Sequence, residues 1–225
     1  MNRLVLYIVL GICLVLASFV SALAIGAAPL SYADVLTSLI SSEPSLAHSI
    51  VWQLRMPRSL LAFIAGGGLA LSGLILQTVT RNPLADPYLF GISSGASFGV
   101  VLIMTLTGIS FGFYLSFAAF AGSLLAIGLL LMIAGFKRVQ QVESMLLAGV
   151  ALSFLFSAFT SLLLYWSDPQ AVTAILFWTL GSFARADWSS LWFPVLVVCL
   201  CLGLMLVNQR RLTALLMGDE GAATL

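Results

Sequence analysis

The chain has 225 residues, 61% of them hydrophobic and 8% charged, with nine basic residues, eight acidic ones and a net charge of +1. A soluble domain carries about a quarter charged residues, so water is excluded as the main solvent and lipid takes its place. The basic residues are scattered between apolar runs rather than gathered on one face, which excludes a nucleic-acid binder.

Apolar runs close to the roughly 20 residues of one bilayer crossing predict six membrane helices in an all-α fold. They are 4–28, 60–79, 88–107, 113–136, 145–165 and 191–207. The first follows a single Arg3 and is too long for the h-region of a signal peptide, so it reads as a membrane helix. Between the runs stand Pro29, Pro44 and Pro57, Pro83 and Pro87, Gly108 and Gly112, the Lys137 and Arg138 pair, and the Asp168 and Pro169 turn. Two segments, 29–59 and 166–190, read as long loops, the second holding an apolar stretch at 171–183 that predicts a helix at or dipping into the interface. With the N-terminus inside, Arg3, Arg81, Lys137, Arg138, Arg210 and Arg211 are cytoplasmic and only Arg55, Arg58 and Arg185 are outside, which predicts N-in and C-in. The whole of 1–225 reads as a single transmembrane domain without internal repeats.

Small residues recur on two helices. Gly91, Gly95 and Gly99 lie four apart, and Ala62, Gly66, Ala70 and Gly73 form a similar face, with Gly67 and Gly68 beside it. Both patterns let helix backbones approach closely in lipid. Gly91 to Gly95 also spells G-x-S-x-G, but a nucleophile elbow needs a strand-to-helix turn and a histidine, and the sole histidine, His48, falls in a loop where it reads as solvated. Gln77 is expected to face the protein interior, because an amide in lipid needs partners. Gly149, Ser153, Ser157 and Ser161 form a small polar ridge that either lines a water-filled path or packs against a neighbour. Cys13, Cys199 and Cys201 sit in apolar runs without metal-ligand spacing and read as packing or lipid-facing residues, so no metal site is expected.

The stretch from Arg55 to Gly99 runs R-M-P-R, then a Gly/Ala-rich helix ending in Gln77, then R-N-P-L-A-D-P, then G-I-S-S-G-A. In this order and spacing it resembles the permease of type II ABC importers for ferric siderophores, haem and vitamin B12, the FecCD-like family. LLAGVAL at 146–152, FWTLGSF at 177–183 and the final LTALLMGDEGAATL extend the resemblance over essentially the whole chain. It implies a transport subunit rather than an enzyme. Two copies would form a substrate path at their interface, driven by two cytoplasmic ATPases that use ATP and Mg and fed by a periplasmic or lipid-anchored binding protein. The resemblance further implies a bacterial inner membrane, no cofactor on this chain, and a ten-helix protein of which this is the N-terminal part, ending within a coupling segment. No G-x-x-x-x-G-K-[ST] loop occurs, in keeping with an ATPase on another polypeptide.

The same resemblance assigns site residues. Arg55 and Arg58 would face outward and dock the acidic lobes of the binding protein, Pro57 fixing the backbone between them. Asn82 and Leu84 would close the cytoplasmic mouth, with Val142 and Glu143 opposite. Gly218, Asp219, Glu220 and Ala222 would couple to the ATPase. Apart from the resemblance, the polar ridge offers Ser153 and Ser157 as residues that would line the path, if it does not simply pack. The alternative of a self-contained secondary transporter or channel calls for an intramembrane acidic pair or interrupted helices in matching halves, neither of which the sequence contains.

Overall fold

The computed structural model describes residues 2–41, 43–108, 112–135 and 142–222, with the side chains of 2, 142, 143 and 217–222 outside that description. Lys137 and Arg138 therefore lie outside the described residues, as do the side chains of Val142, Glu143, Gly218, Asp219, Glu220 and Ala222. Every regular element among the described residues is helical. In chain order these are α1 (Asn2–Ala24), α2 (Tyr32–Ile40), α3 (Leu46–Ser49), a π-helical turn (Ile50–Arg55), α4 (Met56–Thr80), a 3-10 turn (Pro87–Phe90), α5 (Ile92–Thr107), α6 (Phe113–Ala134), α7 (Val142–Tyr165), α8 (Pro169–Leu180), α9 (Trp188–Val207) and α10 (Gln209–Ala222). Among the described residues, five helical stretches are long and apolar enough to cross a membrane: Arg3–Ala24, Leu46–Thr80, Phe113–Ala134, Ser144–Tyr165 and Trp188–Val207. The stretch expected to span from Tyr88 falls short, because Gly91 adopts the left-handed conformation (φ 76°) and α5 begins only at Ile92. Sixteen residues reach about 24 Å at 1.5 Å each, against about 30 Å of hydrocarbon.

Two compact units make up the chain, residues 1–68 with 183–199, and residues 69–182 with 200–225. In the first, the segment expected to be a loop is largely helical. Ser31 caps α2: its Oγ accepts from the Asp34 N–H at 3.1 Å, and the Asp34 carboxylate accepts from the Ser31 N–H at 3.0 Å. Leu23, Ala24, Val35, Val51 and Met56 close a small core where α1, α2 and the π turn meet. The π turn has a local cause. Pro57 has no N–H and its ring crowds the carbonyl four residues back, so the chain widens one turn earlier and the Met56 N–H reaches the Val51 carbonyl. Trp188, at the start of α9, donates through Nε1 to the Trp52 carbonyl at 2.9 Å, and the two rings stack 6.1 Å apart. His48 is half-buried rather than solvated. Its Nδ1 lies 3.1 Å from the Ser38 carbonyl, which also accepts from Trp52 Nε1 at 2.8 Å.

In the second unit α5, α6 and α7 pack together. Phe90, Ala126, Leu130, Met145, Leu152 and Phe156 form one cluster, while Val100, Val101, Met104, Leu115 and Ile175 form another under α8. The apolar stretch expected at 171–183 is α8, 12 residues begun by Pro169 and too short to cross a bilayer.

Candidate functional site

Three places bring the sequence-derived residues into defined geometry. The first is the end of α1. Arg55 is buried, at 8% exposure, and its Nη1 donates at 2.7 Å to the carbonyls of both Leu23 and Ala24, while Nη2 donates to the Ala28 carbonyl. The Leu23 and Ala24 carbonyls are among those that a helix end leaves without intrahelical partners, Ala28 lies in the stretch after it, and a cation at that end also suits the helix dipole. The guanidinium is thus turned into the protein. In this chain, the fork of the residue expected to dock a binding protein serves backbone carbonyls. Gly26 makes room for it: a Cβ there would lie 2.8 Å from Arg55 Nη2. Beside it opens a cavity of about 340 Å³ lined by Ile25, Ala28, Leu54, Arg55, Arg58 and Ser59, among others. Arg58 is half-buried, and its Nε is buried without a hydrogen-bond partner.

The second place is the run from Arg81 to Gly91, which contains the expected gate. Arg81 ends α4 with positive φ (50°), a costly conformation for a residue with a Cβ, and the Asn82 N–H reaches back to the Gln77 carbonyl at 3.2 Å. Asn82 Oδ1 accepts from the Leu84 N–H at 2.9 Å, Asp86 Oδ1 accepts from the Tyr88 N–H at 2.9 Å, and Pro83 and Pro87 remove two donors that would otherwise need partners. Leu84 stands out from this chain of turns at 83% exposure, and Asn82 is half-buried. Arg81 Nε donates to the Leu215 carbonyl at 2.7 Å, tying α10 to the same turn.

The third place is a seam of glycines. A Cβ on Gly95 would fall 2.6 Å from the Gly122 carbonyl oxygen, and one on Gly99 would collide with the Ala118 carbonyl. Gly122, which the sequence reading did not single out, completes the contact from α6, and Gly149 meets Leu89 and Phe90 in the same way from α7. Ser153 belongs to that contact: it is half-buried, bonds back to the Gly149 carbonyl at 2.9 Å and lies 3.4 Å from a Cβ placed on Gly91. Ser157 is exposed. On α4 the picture reverses. Gly66 and Gly73 have nothing within 4 Å of a Cβ, and Gln77 is exposed in this chain, not interior as expected. Ser93, the central residue of G-x-S-x-G, is exposed within helix α5, not on a strand-to-helix elbow. Among the described residues no group of three metal-ligating side chains comes together, and all three cysteines are free and exposed.

Residues 13–225 match the FecCD transport family. The chain belongs to this family. The Fe(3+) dicitrate transport system permease FecC of Escherichia coli K12 is 36% identical over 218 residues, 94% of this chain and 64% of its own length. The vitamin B12 import permease BtuC of Klebsiella pneumoniae is 36% identical over 177 residues, 78% of this chain and 52% of its own. A metal-chelate type ABC transporter solved in an inward-facing conformation superposes with a TM-score of 0.77 at 31% identity, covering 97% of this chain and 67% of that one. The chain thus spans about half to two thirds of the length of the curated relatives it matches. FecCD membership and the long apolar helices make it a multi-pass membrane protein.

Proposed function

We propose that this chain is the membrane pathway of an ATP-driven importer for a ferric chelate or a corrinoid, working as two copies with two cytoplasmic ATPases and a substrate-binding protein in a prokaryotic plasma membrane. The observation that carries the reading is the FecCD match over 13–225, with relatives named for ferric dicitrate and vitamin B12. The open face of α4 supports two copies around a path. Gly66, Gly73 and Gln77 lie on one side of that helix; among the described residues nothing comes within 4 Å of a Cβ on either glycine, and the Gln77 side chain is exposed, whereas a lone amide facing lipid is costly. The exposed Leu84 at a rigid turn supports a gate at the mouth of the path. The carboxylates at 219 and 220 would fall in the ATPase-coupling segment.

Uptake separates this reading from a self-contained carrier. In cells lacking their own chelate and corrinoid permeases, the protein expressed with its ATPase and binding protein should accumulate radio-iron from ferric dicitrate or labelled cobalamin. ATP depletion by arsenate should stop uptake, and a protonophore should not. Uptake that persists without ATP and stops with the protonophore would refute the ATP-driven reading.

A further inference from the structure

We propose that Trp188, at the start of α9, is a latch: its indole supplies the hydrogen-bond donor that Pro57 takes away, so that α9 and the π turn hold or release one another. The backbone around Pro57 carries this inference. In a π turn each N–H reaches five residues back, and the Met56 N–H is taken in this way by the Val51 carbonyl. The next carbonyl, that of Trp52, would look to the N–H of residue 57, and proline has none. Leu46–Thr80 is apolar enough to cross a membrane, and a carbonyl left open in such a helix needs a donor from elsewhere. Trp188 brings one from 136 positions away, its Nε1 donating to the Trp52 carbonyl at 2.9 Å.

The rings supply a second, independent observation. Trp188 stacks on Trp52 with 6.1 Å between centroids and 26° between planes. Trp52 is itself held, because its Nε1 donates at 2.8 Å to the carbonyl of Ser38, in the last turn of α2, where carbonyls lack intrahelical partners. His48 flanks the other side of the Trp52 ring at 6.2 Å, and its Nδ1 lies 3.1 Å from the same Ser38 oxygen. Trp188 thus closes on a ring that cannot swing away. At its own end, the Asp187 carboxylate accepts from the Ser190 N–H at 2.7 Å and fixes the first turn of α9.

Two sets of bonds therefore exclude each other. With the π turn open, the Met56 N–H serves Val51 and Trp188 serves Trp52. Were the turn to tighten into ordinary α-helix, the Met56 N–H would move to the Trp52 carbonyl, four residues back, and release Trp188. Withdrawal of α9 would conversely leave the Trp52 carbonyl open and favour the tighter turn.

The latch does not rest on the importer reading, so its test uses the full chain alone in lipid nanodiscs, with 15N in its five tryptophans. The indole N–H signals of Trp188 and Trp166 are assigned by their loss in Trp188→Phe and Trp166→Phe. Trp166, 69% exposed, is the reference for an open indole. In the parent the Trp188 indole should exchange with deuterated water about tenfold more slowly than that of Trp166, the scale of one hydrogen bond. In Pro57→Ala, where residue 57 regains an N–H, that protection should fall. Thermal unfolding reads the same link. Trp188→Phe, which keeps a ring to stack and loses the donor, should lower the midpoint by several degrees in the parent and by much less beside Pro57→Ala. Trp188→Ala, which loses the stack as well, should lower it in both. A Trp188 indole that exchanges as fast as that of Trp166 in the parent would overturn the latch, with no variant at residue 57 needed. An equal loss from Trp188→Phe with and without Pro57 would overturn the link to the proline.

Discussion

Asp34 shows how one side chain can fix an element in a segment that reads as a loop. Hydrogen bonds from the Ser31 side chain, and then from the Ser31 backbone, hold its carboxyl below the ordinary value of 3.8. Because the folded value is the lower one, the bonded carboxylate stabilises α2 fully above 3.8, and that contribution is lost as pH falls through the folded value. Amide exchange over 32–40, corrected for intrinsic rates, should therefore speed up as the solution is acidified below 3.8. In Asp34→Asn this dependence should vanish. Ser31→Ala should weaken α2 by about 1 kcal/mol at neutral pH, the usual worth of a cap. Asp187 does the same at the start of α9, where its carboxylate accepts from the Ser190 N–H at 2.7 Å and its own N–H donates to Ser190 Oγ at 3.0 Å. Both caps are written in the sequence, as S-Y-A-D and D-W-S-S, but neither has the Glu or Gln that usually marks a capping box. A motif defined by Glu or Gln therefore does not register either cap.

At the scale of the element, periodicity placed the long helices well because lipid demands unbroken apolar runs, and α1, α4, α6, α7 and α9 each overlap the predicted span. What it missed depends on contacts between elements. The spacing of Gly91, Gly95 and Gly99 marks a face made for close approach, yet nothing in it names Gly122 as the partner, since small residues at helical spacing fit many neighbours. On α4, by contrast, nothing among the described residues comes within 4 Å of a Cβ on Gly66 or Gly73. The contacts of Arg55 are hidden for a similar reason: the carbonyls it serves lie at the end of α1 and in the stretch that follows, about 30 residues earlier. Substitution distinguishes the two glycine faces. Gly95→Ala and Gly99→Ala should each cost about 1–3 kcal/mol by overpacking against backbone that cannot retreat. Gly128→Ala, with open space around it, should leave denaturation in detergent unchanged or slightly improved. Gly66→Ala should behave like Gly128→Ala in the single chain, and a loss of self-association without a loss of helix content would place a second copy on α4.

For the molecule as a whole, the basic residues that flank the long helices predict which ends face the cytoplasm. The end of α1 meets Arg55 at the start of α4, and the start of α9 meets the π turn through Trp188. Arg55 immediately precedes α4, Arg58 stands in its first turn, and Arg185 lies three residues before α9. The end of α4 meets α10 through Arg81 and Leu215, so Arg81, Arg210 and Arg211 gather at the other ends. Counted along the sequence, the flanks with Arg3, Arg81, Lys137, Arg138, Arg210 and Arg211 outnumber those with Arg55, Arg58 and Arg185, which predicts a cytoplasmic position for the first set, because basic flanks resist translocation. Single cysteines in a chain freed of Cys13, Cys199 and Cys201 should therefore report opposite sides. In intact spheroplasts a membrane-impermeant maleimide should label Ala184→Cys and leave Leu84→Cys and Gln209→Cys unlabelled. In inverted vesicles the pattern should exchange. Labelling of Leu84→Cys from outside would reverse the orientation, and with it the assignment of the Arg81 to Gly91 turn to the cytoplasmic mouth. The same reversal would move Arg58 to the ATPase side, where a binding protein has no access. The orientation therefore decides whether the two proposed partners meet the chain at opposite ends, as ATP-driven import requires.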